Sequence, residues 1–302
     1  MCRLVAGLLL VGLAGCSNLP PPPEIDASAD RFSAERVRAH YAALARIGPR
    51  PPGSAATDRA RAYLERELRW AGAELDDTGN EDADGSLLAR LPGPSSDRVL
   101  VVAPWVPVGV RTSVDDAGVA ILLELARALS RNPRSYTVVL VAAGVVPPAR
   151  PAPDPRRASE ALREAGAALI RRIEAEDGLR GLRAVLVLEP RAVEGTQIAR
   201  DLRSHPVFRD LFWRTAARLG HADAFPSDAP WATPEGIQGA FLSAGYGQVL
   251  SLVEVGEDRA AGPDGGRPAG PGPGAFEPVG AVAYEGLVQL MHRFERIDAF
   301  SK

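Results

Sequence analysis

The sequence predicts a three-layer α/β domain, with a mostly parallel, mixed central sheet and helices on both faces. Three observations carry that expectation. Unbroken apolar runs, Val99-Leu-Val-Val-Ala103, Val138-Val-Leu-Val-Ala142 and Ala184-Val-Leu-Val-Leu188, read as strands buried on both sides. Segments with apolar residues at helical spacing alternate with these runs, which is the order that builds a parallel sheet through crossover helices. The 302 residues, 46% hydrophobic and 24% charged, suffice for one large domain or two small ones, and no internal repeat divides them.

The elements follow in order. Ser33 is placed to cap a helix over Ala34–Ile47. Residues 48–54, Gly-Pro-Arg-Pro-Pro-Gly-Ser, form a loop. Residues 57–71 form a second helix, with Tyr63, Leu64 and Leu68 at helical spacing and Gly72 as its stop. Strands are expected at residues 87–91 and 99–103, a helix at 116–130, a strand at 136–142, a helix at 158–174 and a strand at 184–188. A helix over 205–219 takes Ser204 as its cap. Short strands are expected at 240–242 and 250–253. Residues 262–274, dominated by Gly and Pro, make a loop, and 280–297 make the closing helix.

The amino terminus carries a different signal. Arg3 precedes the apolar stretch Leu4 to Leu13, and Leu13-Ala14-Gly15-Cys16 resembles the lipobox of a bacterial lipoprotein. The resemblance implies a signal peptide over residues 1–15 and acylation of Cys16. Residues 16–32 would be a tether stiffened by Pro20-Pro-Pro-Pro23, and residues 33–302 the domain. Ser17, in place of an Asp, points to the outer membrane with the domain facing the periplasm. Cys2 leaves with the signal and Cys16 is consumed, so no thiol remains for a disulfide, a metal or a nucleophile. The net charge of −3 gives no reason to expect a nucleic-acid partner, which would call for a basic stripe. Lys302 is the only Lys, which reads as base composition. After the amino terminus no segment is apolar enough to span a bilayer.

The helix–Pro-Arg-Pro-x-Gly-Ser–helix entry, the strand Val99 to Val106 and the segment Ser113-Val-Asp115-Asp116-Ala-Gly resemble the zinc-dependent aminopeptidase family that also includes glutaminyl cyclases. The resemblance covers residues 33–297 and implies a zinc-aminopeptidase-like fold. It also implies where a co-catalytic zinc pair would sit, on loops at the carboxyl ends of the strands. In the family the corresponding strand ends in Ala-His-x-Asp; here Pro104 stands for the His ligand and Val106 for the Asp that orients it. Asp115 matches the carboxylate that bridges the metals. Val145 and Val146 stand where a Gly-Glu-Glu would supply the general base and a ligand. Glu189 replaces an Asp ligand. The last His ligand falls in the Gly/Pro loop, and His292 is the only His beyond it. Ser227-Asp228-Ala-Pro-Trp231 resembles a pocket wall that has lost its His. The resemblance thus implies a degenerate site: vestigial Asp115 and Glu189, lost Pro104, Val145 and Val146, with no metal or cofactor expected.

Each residue also has a plainer role. Asp115 or Asp116 fits an N-cap for the helix that follows. Glu189 fits a solvated strand end, Trp231 fits packing, and His40 fits a helix surface. No Gly-x-Ser-x-Gly elbow and no phosphate-binding Gly loop is present. The expected function is that of a lipid-anchored pseudopeptidase that binds a peptide, a cell-envelope fragment or a protein, as the family's transferrin-receptor-like and nicastrin-like members lack catalysis. Two alternatives stand beside it. One is an active metallopeptidase with ligands recruited from His221, Asp223, Asp228 or Glu189. The other is a structural or assembly lipoprotein with a filled cleft.

Overall fold

The computed structural model describes residues 32–51, 53–76, 85–105, 116–132, 134–145, 155–176, 178–190, 195, 197–228, 236–254 and 274–300, with side chains from 159 onward in the helix that begins at 155. The sequence expectations for Cys16, the tether, Val106, Asp115, Val146, Trp231 and almost all of the Gly/Pro loop lie outside these residues.

Among the described residues, six strands form one sheet in the order β1-β2-β4-β3-β5-β6. They are β1 (Glu74–Leu75), β2 (Leu87–Leu91), β3 (Ser95–Trp105), β4 (Tyr136–Gly144), β5 (Leu182–Glu189) and β6 (Val249–Val253). β3, β4, β5 and β6 are mutually parallel, while β1 and β2 run antiparallel at one edge. The apolar runs occupy the central strands, where both faces are covered and alternation is not required.

The helices are α1 (Ala34–Ile47), α2 (Ala55–Trp70), α3 (Ala117–Ser130), α4 (Pro155–Glu176), α5 (Pro206–Arg218), α6 (Ile237–Ser243) and α7 (Glu277–Phe300). Val99, Val101, Ala103 and Trp105 of β3 pack into one core with α1, α2, α3, α5 and α7. Leu100 and Val102 pack into the other, with α4 and α6. α3 is buried on every side, in keeping with its almost wholly apolar sequence. A methyl group on Gly118 would lie 2.5 Å from the Leu188 carbonyl oxygen, so this Gly lets α3 rest against the end of β5.

Residues 240–242 are part of α6 and not a strand. Ile237, Ala240 and Phe241 form a buried stripe at helical spacing, and short apolar runs of this kind fit either state in isolation. Gly166 of α4 makes room for that stripe: a methyl there would come within 2.8 Å of Ala240 Cβ. Ser204 is not the cap of α5 either; His205 holds that position, without a side-chain bond. The Ser204 hydroxyl donates instead to Asp201 Oδ2 at 2.7 Å and accepts from the Ser251 backbone N–H at 3.1 Å.

His40 is buried, at 4% exposure, and not on the surface. α1 lies against both α2 and α3, so its inner stripe includes position 40. His40 Nδ1 shares a 2.8 Å hydrogen bond with the Tyr63 hydroxyl. Burial, reinforced by Arg36, Arg66 and Arg127, lowers the His40 pKa from 6.5 to about 3. The neutral ring is therefore favoured in the folded state. Its stabilisation is complete above about pH 6.5 and is lost as pH falls from there toward about 3. Denaturant melts across this window should show a slope that His40→Asn flattens by up to about 1.4 kcal/mol per pH unit. Equal slopes for the two proteins would show that His40 does not drive acid unfolding.

Candidate functional site at the carboxyl ends of the central strands

β4, β3 and β5 are neighbours and end together. Pro104 and Trp105 pair with Ala143 and Gly144 of β4. On the other side the ladder from β3 to β5 stops at Val102, opposite Val187, and Pro104 has no N–H with which to extend it. Two residues further on, Pro104 and Glu189 stand level. Strand alternation turns Pro104, Val145 and Glu189 to the same face of the sheet, the face covered by α4 and α6. The fold thus brings these three sequence-singled positions to one edge, where open parallel sheets hold their ligands.

The first two positions are packed and apolar. Val145 is buried, and its N–H donates to the Trp105 carbonyl at 3.2 Å. The Gly144 N–H donates to Ser86 Oγ at 3.0 Å, and the Trp105 indole to the Gly85 carbonyl at 3.2 Å. These bonds tie the ends of β3 and β4 to the start of β2. Neither the Pro104 nor the Val145 side chain offers a lone pair to a metal or accepts a proton.

Asp116 stands at the N-cap position of α3, but its side chain makes no capping bond. Both of its oxygens accept from Arg50 Nη2, each at 2.7 Å. Arg50 is fully buried in the loop between α1 and α2. Burial pushes the Asp116 carboxyl above the usual range, against the opposing pull of Arg50. The capping expectation therefore gives way to a buried ion pair that pins the entry loop to the start of α3.

Glu189 is not a plain solvated strand end. It keeps a partly exposed surface, yet among the described residues no donor or cation bonds it. A methyl on Gly236 would lie 3.1 Å from Leu162 Cβ and 3.4 Å from Glu189 Oε1, so the carboxyl shares an apolar space with these two residues. Burial raises its pKa from 4.5 to about 7. The sign follows from that shift. Folding favours the protonated form, so stability is greatest below about pH 4.5 and falls as pH rises toward 7, then levels off. Glu189→Gln is expected to stabilise the domain at about pH 8 by roughly 1–3 kcal/mol and to change little at about pH 4.5. Calorimetric melts at the two pH values measure this; an equal effect at both would refute the shift.

Asp228 is exposed. His221 precedes a short 3-10 turn, Ala222–Ala224, and Asp223 lies within that turn, exposed. Among the described residues, no three His, Cys, Asp or Glu side chains gather closely enough to share a metal ion. Sequence reading missed a buried polar cluster beside α6, in which Gln238 Nε2 donates to Asp201 Oδ2 at 2.6 Å and to Ser204 Oγ at 3.0 Å. No spacing pattern announces it, because its members are up to 37 residues apart.

No protein-family model and no curated protein matches this sequence. Solved structures do match. The glutaminyl cyclase of an Acidobacteriales bacterium aligns with a TM-score of 0.67 at 15% identity, over 91% of this chain and 99% of its own. The glutaminyl cyclase of Porphyromonas gingivalis gives 0.66 at 18% identity, over 86% and 99%. This chain has the zinc-aminopeptidase and glutaminyl cyclase fold. A Zn-dependent exopeptidase from Parabacteroides distasonis, at TM-score 0.64 and 17% identity over 84% and 97%, shares it. Fold carries no chemistry by itself, so the residues must be tested directly. A zinc pair requires several imidazole or carboxylate donors. Of the three strand-end positions described in this zinc-aminopeptidase fold, only Glu189 has a donor, so they do not fit that group.

Proposed function

We propose that this protein is a catalytically degenerate member of the zinc-aminopeptidase fold that binds a ligand at its strand-end cleft and does not hydrolyse it. One observation carries the reading: apolar Pro104 and Val145 close the carboxyl ends of β3 and β4, where the metal ligand and the general base would stand. Replacing those groups with packed apolar side chains favours stability over catalysis. The ligand classes are a peptide, a cell-envelope fragment or a protein partner. Metal analysis of the purified chain after zinc exposure tests this. Less than one tightly held zinc per chain is expected, and stoichiometric zinc retained through dialysis would favour the metallopeptidase with rearranged ligands. The hydrogen-bonded tie of Trp105 to Gly85 also suits the second reading, a structural lipoprotein with a filled cleft.

The proposal includes the anchor. Acylation of Cys16 would hold the domain at the periplasmic face of the outer membrane, on the Pro-rich tether, since several acyl chains anchor durably where one does not. Labelled fatty acid is expected to enter the wild-type chain and not Cys16→Ala. Equal labelling of both would remove the anchor from the proposal.

A further inference from the structure

Among the described residues the exposed large apolar side chains are Trp70, Leu202, Ile297 and Phe300. Trp70, Ile297 and Phe300 sit at the amino ends of the parallel strands, the end opposite the strand-end cleft. Trp70, 60% exposed, closes α2 four residues before β1, which starts where Glu74 meets Arg90 and, across β2, Val139 of β4. Ile297 and Phe300, 48% and 92% exposed, lie in the last turn of α7. That turn is fixed at the same end. Asp298 accepts from the Tyr136 hydroxyl at 2.6 Å and from Arg183 at 3.0 Å, in the first residues of β4 and β5, and Glu295 accepts from the Ser135 hydroxyl at 2.6 Å. α3 packs against both α2 and α7 and also ends here, shortly before β4. These three helix ends carry exposed Arg69, Arg131 and Arg296 against exposed Glu74, with Arg69 paired to Glu65 only at 3.5 Å. Apolar residues scattered singly over a surface are ordinary; three at one end with an arginine rim form a pattern.

A second copy of the chain does not suit this surface. Three such side chains bury on the order of 400 Å², below the roughly 800 Å² per partner of a specific interface. A lipid surface needs no matching shape. It takes indole and phenyl rings at headgroup level, and its phosphates take guanidinium groups. Chain length allows the contact. The Phe32 ring, where the proposed tether joins the domain, fills the space beside Gly280 in the first turn of α7. Phe300 lies twenty residues along that helix, about 30 Å away, and residues 16–31 can reach about 50 Å. We infer that the domain lies on an anionic phospholipid surface with the amino ends of its strands toward the lipid, Trp70, Ile297 and Phe300 entering the headgroup region and Arg69, Arg131 and Arg296 pairing with phosphates. This rests on the anchored reading above and adds an orientation to it: the strand-end cleft faces away from the membrane.

The test is tryptophan fluorescence of the full chain in phosphatidylcholine–phosphatidylglycerol vesicles whose acyl chains are brominated just below the headgroup, since bromine quenches a ring only at contact. The chain has four Trp, and the difference between wild type and Trp70→Phe isolates Trp70 while keeping an aromatic ring in place. Quenching is expected in the wild type, and Trp70→Phe should abolish most of it. The double change Ile297→Ser/Phe300→Ser should cut the quenching at least about twofold. Arg296→Glu, or vesicles of phosphatidylcholine alone, should lower it too, and so should raising salt from about 0.1 to about 1 M, which shortens the screening length from about 10 to about 3 Å. Leu202→Ser, at an exposed apolar residue on another segment, should change nothing, and melts confirm that the variants fold. Equal quenching in wild type and Trp70→Phe, or quenching indifferent to Ile297→Ser/Phe300→Ser, would overturn the inference. A dimer in detergent that the same double change dissociates would overturn it in favour of a second copy. Fatty acid on Cys16 without Trp70 quenching leaves the anchor standing and removes the orientation, whereas Trp70 quenching without fatty acid on Cys16 removes the anchor and keeps the lipid-facing end.

Discussion

Residues 26–302, assayed against aminoacyl-anilides and short peptides with added zinc, cobalt or manganese, are expected to show no turnover above the uncatalysed rate. The magnitude follows from what the strand ends lack. Loss of a general base alone costs about 10²–10⁴ in rate, and Val145 at the end of β4 accepts no proton. Loss of the metal also removes the nucleophile, because free water has a pKa of about 15.7 against about 7 on zinc. Binding contacts in the cleft cannot offset both, since contacts made equally in ground and transition states do not raise the rate of the chemical step. Metal-dependent turnover abolished by Asp115→Asn would overturn the reading and favour relocated ligands. Turnover indifferent to chelators would place chemistry outside the strand ends altogether.

What was legible in the sequence was what local pattern encodes. The continuous apolar runs of β3, β4 and β5 can be satisfied only in a sheet covered on both faces, and that is where they lie. The resemblance to the zinc-aminopeptidase family singled out Pro104, Val145 and Glu189, and the adjacent parallel strands β4, β3 and β5 carry them to one end of the sheet. The failures share one cause. Residues 237–243 are too short for periodicity to decide, and the close approach of Gly166 decides it from another helix. His40 looked like a surface residue because the partner that hides it, Tyr63, lies on α2. The environment of Glu189 is made by Leu162 and Gly236, which its own neighbours in sequence do not reveal. These tertiary surroundings also shift titration: burial lowers the His40 pKa, so it favours the fold less as pH falls, and raises that of Glu189, so it favours the fold less as pH rises.

The Arg50–Asp116 pair is the least visible of these features from sequence, its members lying 66 positions apart, and its disruption should carry the largest stability effect. Removing one partner of a buried ion pair costs about 3–5 kcal/mol, because the other charge is left in a poorly solvating interior. The two single losses should differ. Asp116→Ala strands the fully buried Arg50, whose Nε and Nη1 already have no partner among the described residues. Arginine does not deprotonate in a protein, so that variant has no escape at any pH. Arg50→Met strands a carboxyl that burial already pushes upward, and with the opposing Arg gone the carboxyl is free to take a proton. Arg50→Met should therefore recover stability, relative to wild type, as pH falls from about 8 to about 5, while Asp116→Ala should not. The double variant Arg50→Met/Asp116→Leu should lie closer to wild type than either single change, since apolar groups of similar volume commonly replace a buried pair without loss. Chemical denaturation of the four proteins at both pH values forms the cycle. Single-variant losses below about 1 kcal/mol would mean that the pair is not what holds the entry loop to α3.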